Sequence, residues 1–231
     1  MIKNPIPQEY IEDLLVRMAY HSSSIEGNTI SLPETISIIL ENTIPTKEKG
    51  HSIREFYEIE NHKQAFDYML SLLESDEKLS ISQVKQFHFL LLDRLQHDHG
   101  EFKKSQNAIR GAEFETASPQ ETPQLMTQWV DNTVYRLELS KDETAICDTL
   151  AEVHIQFERI HPFSDGNGRV GRLLNMYLAF VYVGAPVIID SKKRADYIRL
   201  LAEQNSSGLA EMFLESIKFE KERIMKFSSK Q

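Results

Sequence analysis

Apolar residues recur along most of this chain in steps of three and four, the period of helices with one buried face. Ile11, Leu14, Leu15, Met18, Ala19, Ser22 and Ile25 trace a first helix; Pro7 and Glu9 suit its first turn and Gly27-Asn28 its stop. Ser31 and Pro33 open a second helix through Ile36, Ile39 and Leu40. A long third runs from Ile53 to Leu73 on Phe56, Ile59, Phe66 and Met69. Ser80 with Gln83 is a capping-box pattern before a helix through Phe87, Leu91 and Leu95. Pro123 begins another, with Leu125, Met126, Trp129, Val130, Val134 and Leu137 inward. Ile146, Leu150, Val153, Phe157 and Ile160 form a further seam, and Val170, Leu173, Leu174, Tyr177, Leu178 and Val181 continue it in a following helix. Residues 100–120 lack such a stripe. Two short segments, around Ala108-Ile109 and Phe114-Glu115-Thr116, flank Arg110-Gly111 and read as a small hairpin or flap. The pattern predicts an all-α, mainly helical domain with a small β-hairpin flap.

Composition narrows the setting. The 231 residues are 41% hydrophobic, enough for a sizeable core, and no apolar run is long enough to span a membrane. The opening MIKNPIPQEY lacks the apolar stretch of a secretory signal, and Cys147 is the only cysteine, so the expectation is a cytoplasmic protein without internal disulfides. A net charge of −9 argues against a broad nucleic-acid surface. An anion would need a locally concentrated positive site.

The stretch HPFSDGNGRVGR, His161 to Arg172, supplies one between two helical seams. Gly166 and Gly168 leave backbone N–H groups open to an anion at a positive helix end. Arg169 and Arg172 follow, three apart, where two cations are unfavourable for the helix dipole unless an anion lies among them. Forked guanidinium contacts suit phosphate oxygens. Asp165 precedes the glycines, where a carboxylate beside phosphates commonly completes a Mg²⁺ site, although an N-cap aspartate would look the same. His161, with an ordinary imidazole pKa near about 6.5, could take a proton from an attacking hydroxyl. His154 reads as structural. No GxxxxGK(S/T) run and no GxSxG elbow occurs, which disfavours a P-loop or a serine hydrolase.

One residue sits awkwardly. Glu26 closes the first helix, where an acid is disfavoured by roughly 0.3–1 kcal/mol. Either it is solvated at little cost, or a cation elsewhere in the fold meets it.

These residues resemble the Fic family. HPFSDGNGRVGR fills every fixed position of the signature HPFx(D/E)GNGRxxR, and SSSIEG, through Ser22, Glu26 and Gly27, is similar to the family's inhibitory motif (S/T)xxxE(G/N). The resemblance runs from the first helix to about Ile217. It implies an enzyme that moves AMP from ATP, with Mg²⁺, to a Ser, Thr or Tyr hydroxyl of a target protein or of itself. His161 would be the general base, Asp165 the metal ligand, and Asn167 with the Gly166–Gly168 backbone the seat of the α- and β-phosphates. Arg169 would stabilise the leaving pyrophosphate and Arg172 grip the γ-phosphate, while Phe163 anchors the loop. Tyr197 and Asn205 would contact the nucleoside, or else serve the core and a cap. The flap, with Ile109, Arg110, Gly111, Phe114, Glu115 and Thr116, would bind the target by strand addition. Glu26 would pair with Arg172 and block productive ATP binding, with Ser22 steadying the contact. Residues 1–30 would form this inhibitory element and 31–231 the core, in a single structural unit. AMP removal and a non-catalytic nucleotide-binding module are the alternatives. Nucleic-acid and membrane partners are not expected, and a homo-oligomer is compatible with the sequence.

Overall fold

The computed structural model describes residues 6–43, 50–75, 77–108 and 115–229. In chain order the helices are α1 (Gln8–Ile25), α2 (Leu32–Ile39), α3 (Ile53–Glu74), α4 (Ile81–Leu91), α5 (Thr122–Leu139), α6 (Glu143–Ile160), α7 (Asn167–Val183), α8 (Arg194–Ala202) and α9 (Ser206–Ser228), with a 3-10 turn Ser191–Lys193 before α8. No strand occurs among the described residues. Ile109, Arg110, Gly111 and Phe114 of the predicted flap lie outside them, so its hairpin is not observed. Glu115 and Thr116, just beyond, are in irregular chain.

Local chemistry places most boundaries. Ser52 and Ser80 accept from the N–H groups of Glu55 and Gln83, whose side chains return the bond. One expectation needs correction: α4 stops at Leu91 instead of continuing through Leu95. Irregular turns follow, with Arg94 at φ +60°.

Helix α6 is the centre of the bundle, packing on α5, α7 and α9, while α1 lies on α2, α3 and α9. Helix α7 is buried on every side from Arg169 to Phe180, so its N-terminus is delivered into the interior. Helix α1 is anchored at its other end by a buried cluster. Tyr10 Oη and both terminal nitrogens of Arg17 donate to Glu220 of α9 at 2.6–2.8 Å, and Asp13 bridges Arg17 and Arg223.

Candidate functional site

The α6–α7 loop is held from all sides. His161 caps α6 in the left-handed region, φ +50°, ahead of Pro162, so the helix ends there abruptly. Phe163 is fully buried and stacks on His88 at 3.8 Å. Asn167 spends its side chain on Phe163, accepting from its N–H at 2.9 Å and donating to its carbonyl at 2.8 Å. Only the backbone of Asn167 remains for a phosphate. His88 accepts from Gly100 N–H at Nδ1 and donates from Nε2 to the Asp165 carbonyl, which fixes a neutral tautomer.

Gly166, in the left-handed region, caps α7. A Cβ there would lie 2.4 Å from Leu92, so glycine is required by conformation and by space. Asp165 is therefore not the N-cap. Its Oδ1 accepts from Gly166 N–H at 2.6 Å, while Oδ2 accepts from Arg54 at 2.7 Å and Gln96 at 3.2 Å. Burial works against its ionisation, but Arg169 and the Arg54 hydrogen bond hold its pKa below the usual aspartate value. No cluster of three metal-ligating side chains exists among the described residues. One partly exposed carboxylate fits Mg²⁺ only when phosphate and water oxygens complete the octahedron.

The two arginines diverge. Arg172, 8% exposed, donates from Nη2 to Glu26 Oε1 at 2.7 Å and to the Ser22 carbonyl at 3.0 Å, and from Nε to Ser22 Oγ at 3.1 Å. Arg169 is also buried, yet among the described residues its only side-chain hydrogen bond is to Asp165 at 3.5 Å, and its Nε and Nη1 have no hydrogen-bond partner there. An unpaired buried guanidinium edge is costly and marks where an anion would be welcome. The unfavourable end of α1 is thus met by cations from elsewhere: Arg172 from α7, and Arg194 from α8, whose Nε donates to the Ile25 carbonyl at 2.6 Å. The Glu26 side chain is 41% exposed, and although crowding by protein around the carboxyl opposes ionisation, the charge of Arg172 and its hydrogen bond outweigh this and hold it below its ordinary pKa.

His161 Nδ1 is 3.2 Å from the Glu158 carbonyl, a bond in which the ring N–H donates and Nε2 keeps a free lone pair. Burial, with help from Lys103, lowers its pKa from the ordinary imidazole value to about 4, so the imidazole is neutral at pH 7. Glu158 lies beneath it, buried, its pKa pushed up to about 8 by burial.

Other expected positions fall differently. Tyr197 is buried with its hydroxyl 2.8 Å from His154 Nε2, and Asn205 is exposed and caps α9 by accepting from Gly208 N–H at 2.9 Å. Both thus occupy the core and cap roles in this state. Sequence reading did not single out Arg54, Arg194 or Lys103.

The Fic/DOC family profile matches residues 78–179, which span α4 to most of α7 and the whole loop. The chain carries a Fic/DOC domain and belongs to that family. Among curated relatives, the protein adenylyltransferase Fic of Drosophila willistoni is 32% identical over 193 residues, covering 82% of this chain and 37% of the relative. The chain therefore spans well under half the length of that relative. Among solved structures, Fic-1 from C. elegans superimposes with a TM-score of 0.76 at 26% identity, covering 97% of this chain and 65% of that one. A Fic-domain signalling protein from Bacteroides thetaiotaomicron shares the fold, with a TM-score of 0.77 at 22% identity over 94% and 92% of the two chains. The Fic domain's glycines, arginines and His161 thus converge on one helix start, with Glu26 of α1 laid against it.

Proposed function

We propose that this Fic protein is an autoinhibited protein adenylyltransferase. The observation that carries the reading is the pairing at the start of α7: Glu26 holds Arg172 at 2.7 Å, while Arg169 beside it keeps two buried nitrogens unpaired. A polyphosphate would satisfy both arginines, and Glu26 now takes the place of part of it.

In the forward reaction a protein hydroxyl attacks the α-phosphorus of ATP and the bond to the bridging oxygen of the β-phosphate breaks. AMP passes to the protein, and pyrophosphate leaves. His161 Nε2 takes the hydroxyl proton, for which its neutral state suits it. The N–H groups at the α7 N-terminus and Arg169 meet charge on the phosphates, and Arg172, once released by Glu26, holds the γ-phosphate. Asp165 would hold Mg²⁺, which supplies neutralisation of phosphate charge. Most of the catalysis is positioning. With Glu26 in place, ATP lacks a partner for its terminal phosphate and sits out of line; about 1 Å of misplacement can cost on the order of 10²-fold in rate.

The test follows label from α-labelled ATP with Mg²⁺ into protein, alone and with a lysate, for the wild type, Glu26→Gly and Glu26→Gly/His161→Ala. Weak, strong and absent labelling, in that order, is expected. Equal labelling with and without Glu26 would remove the brake from the reading. Silence in all three would favour AMP removal or a binding module.

A further inference from the structure

Lys103 is 3% exposed, on the chain that enters the flap region. Among the described residues, its side-chain hydrogen bonds go to uncharged oxygens: Asn107 Oδ1 at 2.8 Å, the Ile160 carbonyl at 3.1 Å and Thr116 Oγ1 at 3.2 Å. Its backbone N–H donates to the Pro162 carbonyl at 2.8 Å. Asn107 in turn donates from Nδ2 to the Phe163 carbonyl at 2.7 Å and the His161 carbonyl at 3.2 Å. Gln106 Nε2 donates to the Thr116 carbonyl at 3.0 Å. Residues on either side of 109–114 are thereby joined to each other and to three consecutive carbonyls of the catalytic loop.

A buried ammonium with no carboxylate partner among the described residues is expensive, and a methionine would fill the same space at no electrostatic cost. What the charge gains is the C-terminus of α6, where Ile160 ends the helix and its free carbonyls favour a cation. We propose that Lys103 is a positioning residue for the transfer step, setting through Asn107 and Thr116 the register between the stems of the flap region and the His161 loop. The inference rests on the AMP-transfer reading. An acceptor hydroxyl presented from these stems is thereby brought to His161 at a fixed height.

Lys103 also acts on His161 through space. The groups that bear on this imidazole are Glu158 of its own helix, Lys103, Glu26 from α1 and Asp165 from the loop. Burial itself depresses the Lys103 ammonium to about 8, so it is mostly charged at pH 7.

The experiment places Lys103→Met and, separately, Asn107→Ala in the Glu26→Gly protein. Self-labelling from α-labelled ATP, affinity for ATP, and the titration of His161 by NMR are compared with the Glu26→Gly parent. Both variants should lower self-labelling by about 10²-fold while leaving ATP affinity within two-fold. Lys103→Met should also raise the pKa of His161, whereas Asn107→Ala should leave it unmoved. Labelling within three-fold of the parent would overturn the proposal, as would loss of ATP binding in parallel with labelling. Should Lys103→Met not fold, Asn107→Ala decides by the same criteria. If the parent does not label, the AMP-transfer reading fails and the proposal falls with it.

Discussion

The carboxylate of Glu26 lies directly over Gly168: a Cβ on residue 168 would be 2.4 Å from Glu26 Oε1 and 2.9 Å from Arg172 Nη1. The absent side chain therefore leaves room for the Glu26 carboxylate and, in the proposed reaction, for a phosphate in its place. Gly168→Ala should displace Glu26, whose tip can swing away, without opening the site, because the methyl group occupies the same approach. Calorimetry should show ATP binding more tightly to Glu26→Gly than to wild type, and no more tightly than wild type to Gly168→Ala or the double variant. Tighter binding to Gly168→Ala would mean that phosphates do not approach this glycine.

The lowered pKa of His161 sets the acid limit of activity. Its folded value of about 4 makes it a free base throughout pH 5–8. In the Glu26→Gly protein, the rate should be flat on its acid side down to about pH 5 and fall only near pH 4, as long as the protein stays folded. A limb near 6.5 would mean that His161 is more solvated than its burial indicates. His161→Ala should lose about 10²–10⁴-fold of the rate and keep ATP binding.

Asp165 is engaged by Arg54, whose side chain is half exposed. An exposed ion pair contributes about 0.2–1 kcal/mol, so removing it should free the carboxylate for metal by a modest factor. Arg54→Ala in the Glu26→Gly protein should bind Mn²⁺ more tightly in the presence of ATP, by up to about five-fold, read by electron paramagnetic resonance. Weaker binding would make Arg54 a phosphate ligand rather than a competitor.

Acid should unfold this protein early. Burial lowers His62 and His154 to about 3 and His88 and His161 to about 4. The unfolded chain binds these protons below about pH 6.5, so their stabilising contribution is complete above that pH and is lost as pH falls toward 4. Glu158 runs the other way: its raised folded value favours the native state below about 4.5 and costs stability as pH rises toward 8. Four histidines less one carboxyl leave a net uptake of about three protons on unfolding near pH 5, or at most about 4 kcal/mol per pH unit. Urea midpoints should drop steeply between pH 6.5 and 5. A flat response would show that these histidines are hydrated.

The two ends of the site were unequally legible in the amino-acid sequence. His161, Asp165, the glycines and the arginines lie within twelve residues, so their types and spacing announce phosphate chemistry before any fold is known. The helices were legible too, because burial of one face forces a period on the apolar residues. From local chemistry alone Glu26 was only an acid at an unfavourable helix end, which calls for a cation without saying which; the motif resemblance, not a local rule, pointed to Arg172. Its partner is 146 positions away, and Arg194, Arg54 and Lys103 reach their targets across comparable or shorter stretches of chain.

Helical periodicity by itself determined which face of each segment turns inward, and the loop motif determined what chemistry sits at the start of α7. Tertiary structure alone decided which side chain meets which. It engaged the Asn167 side chain with Phe163, leaving its backbone for a phosphate, set Tyr197 against His154, and lowered the basicity of His161. The physical reason is that pairing and desolvation depend on distances between helices remote in sequence, whereas helix formation depends on neighbours a turn away.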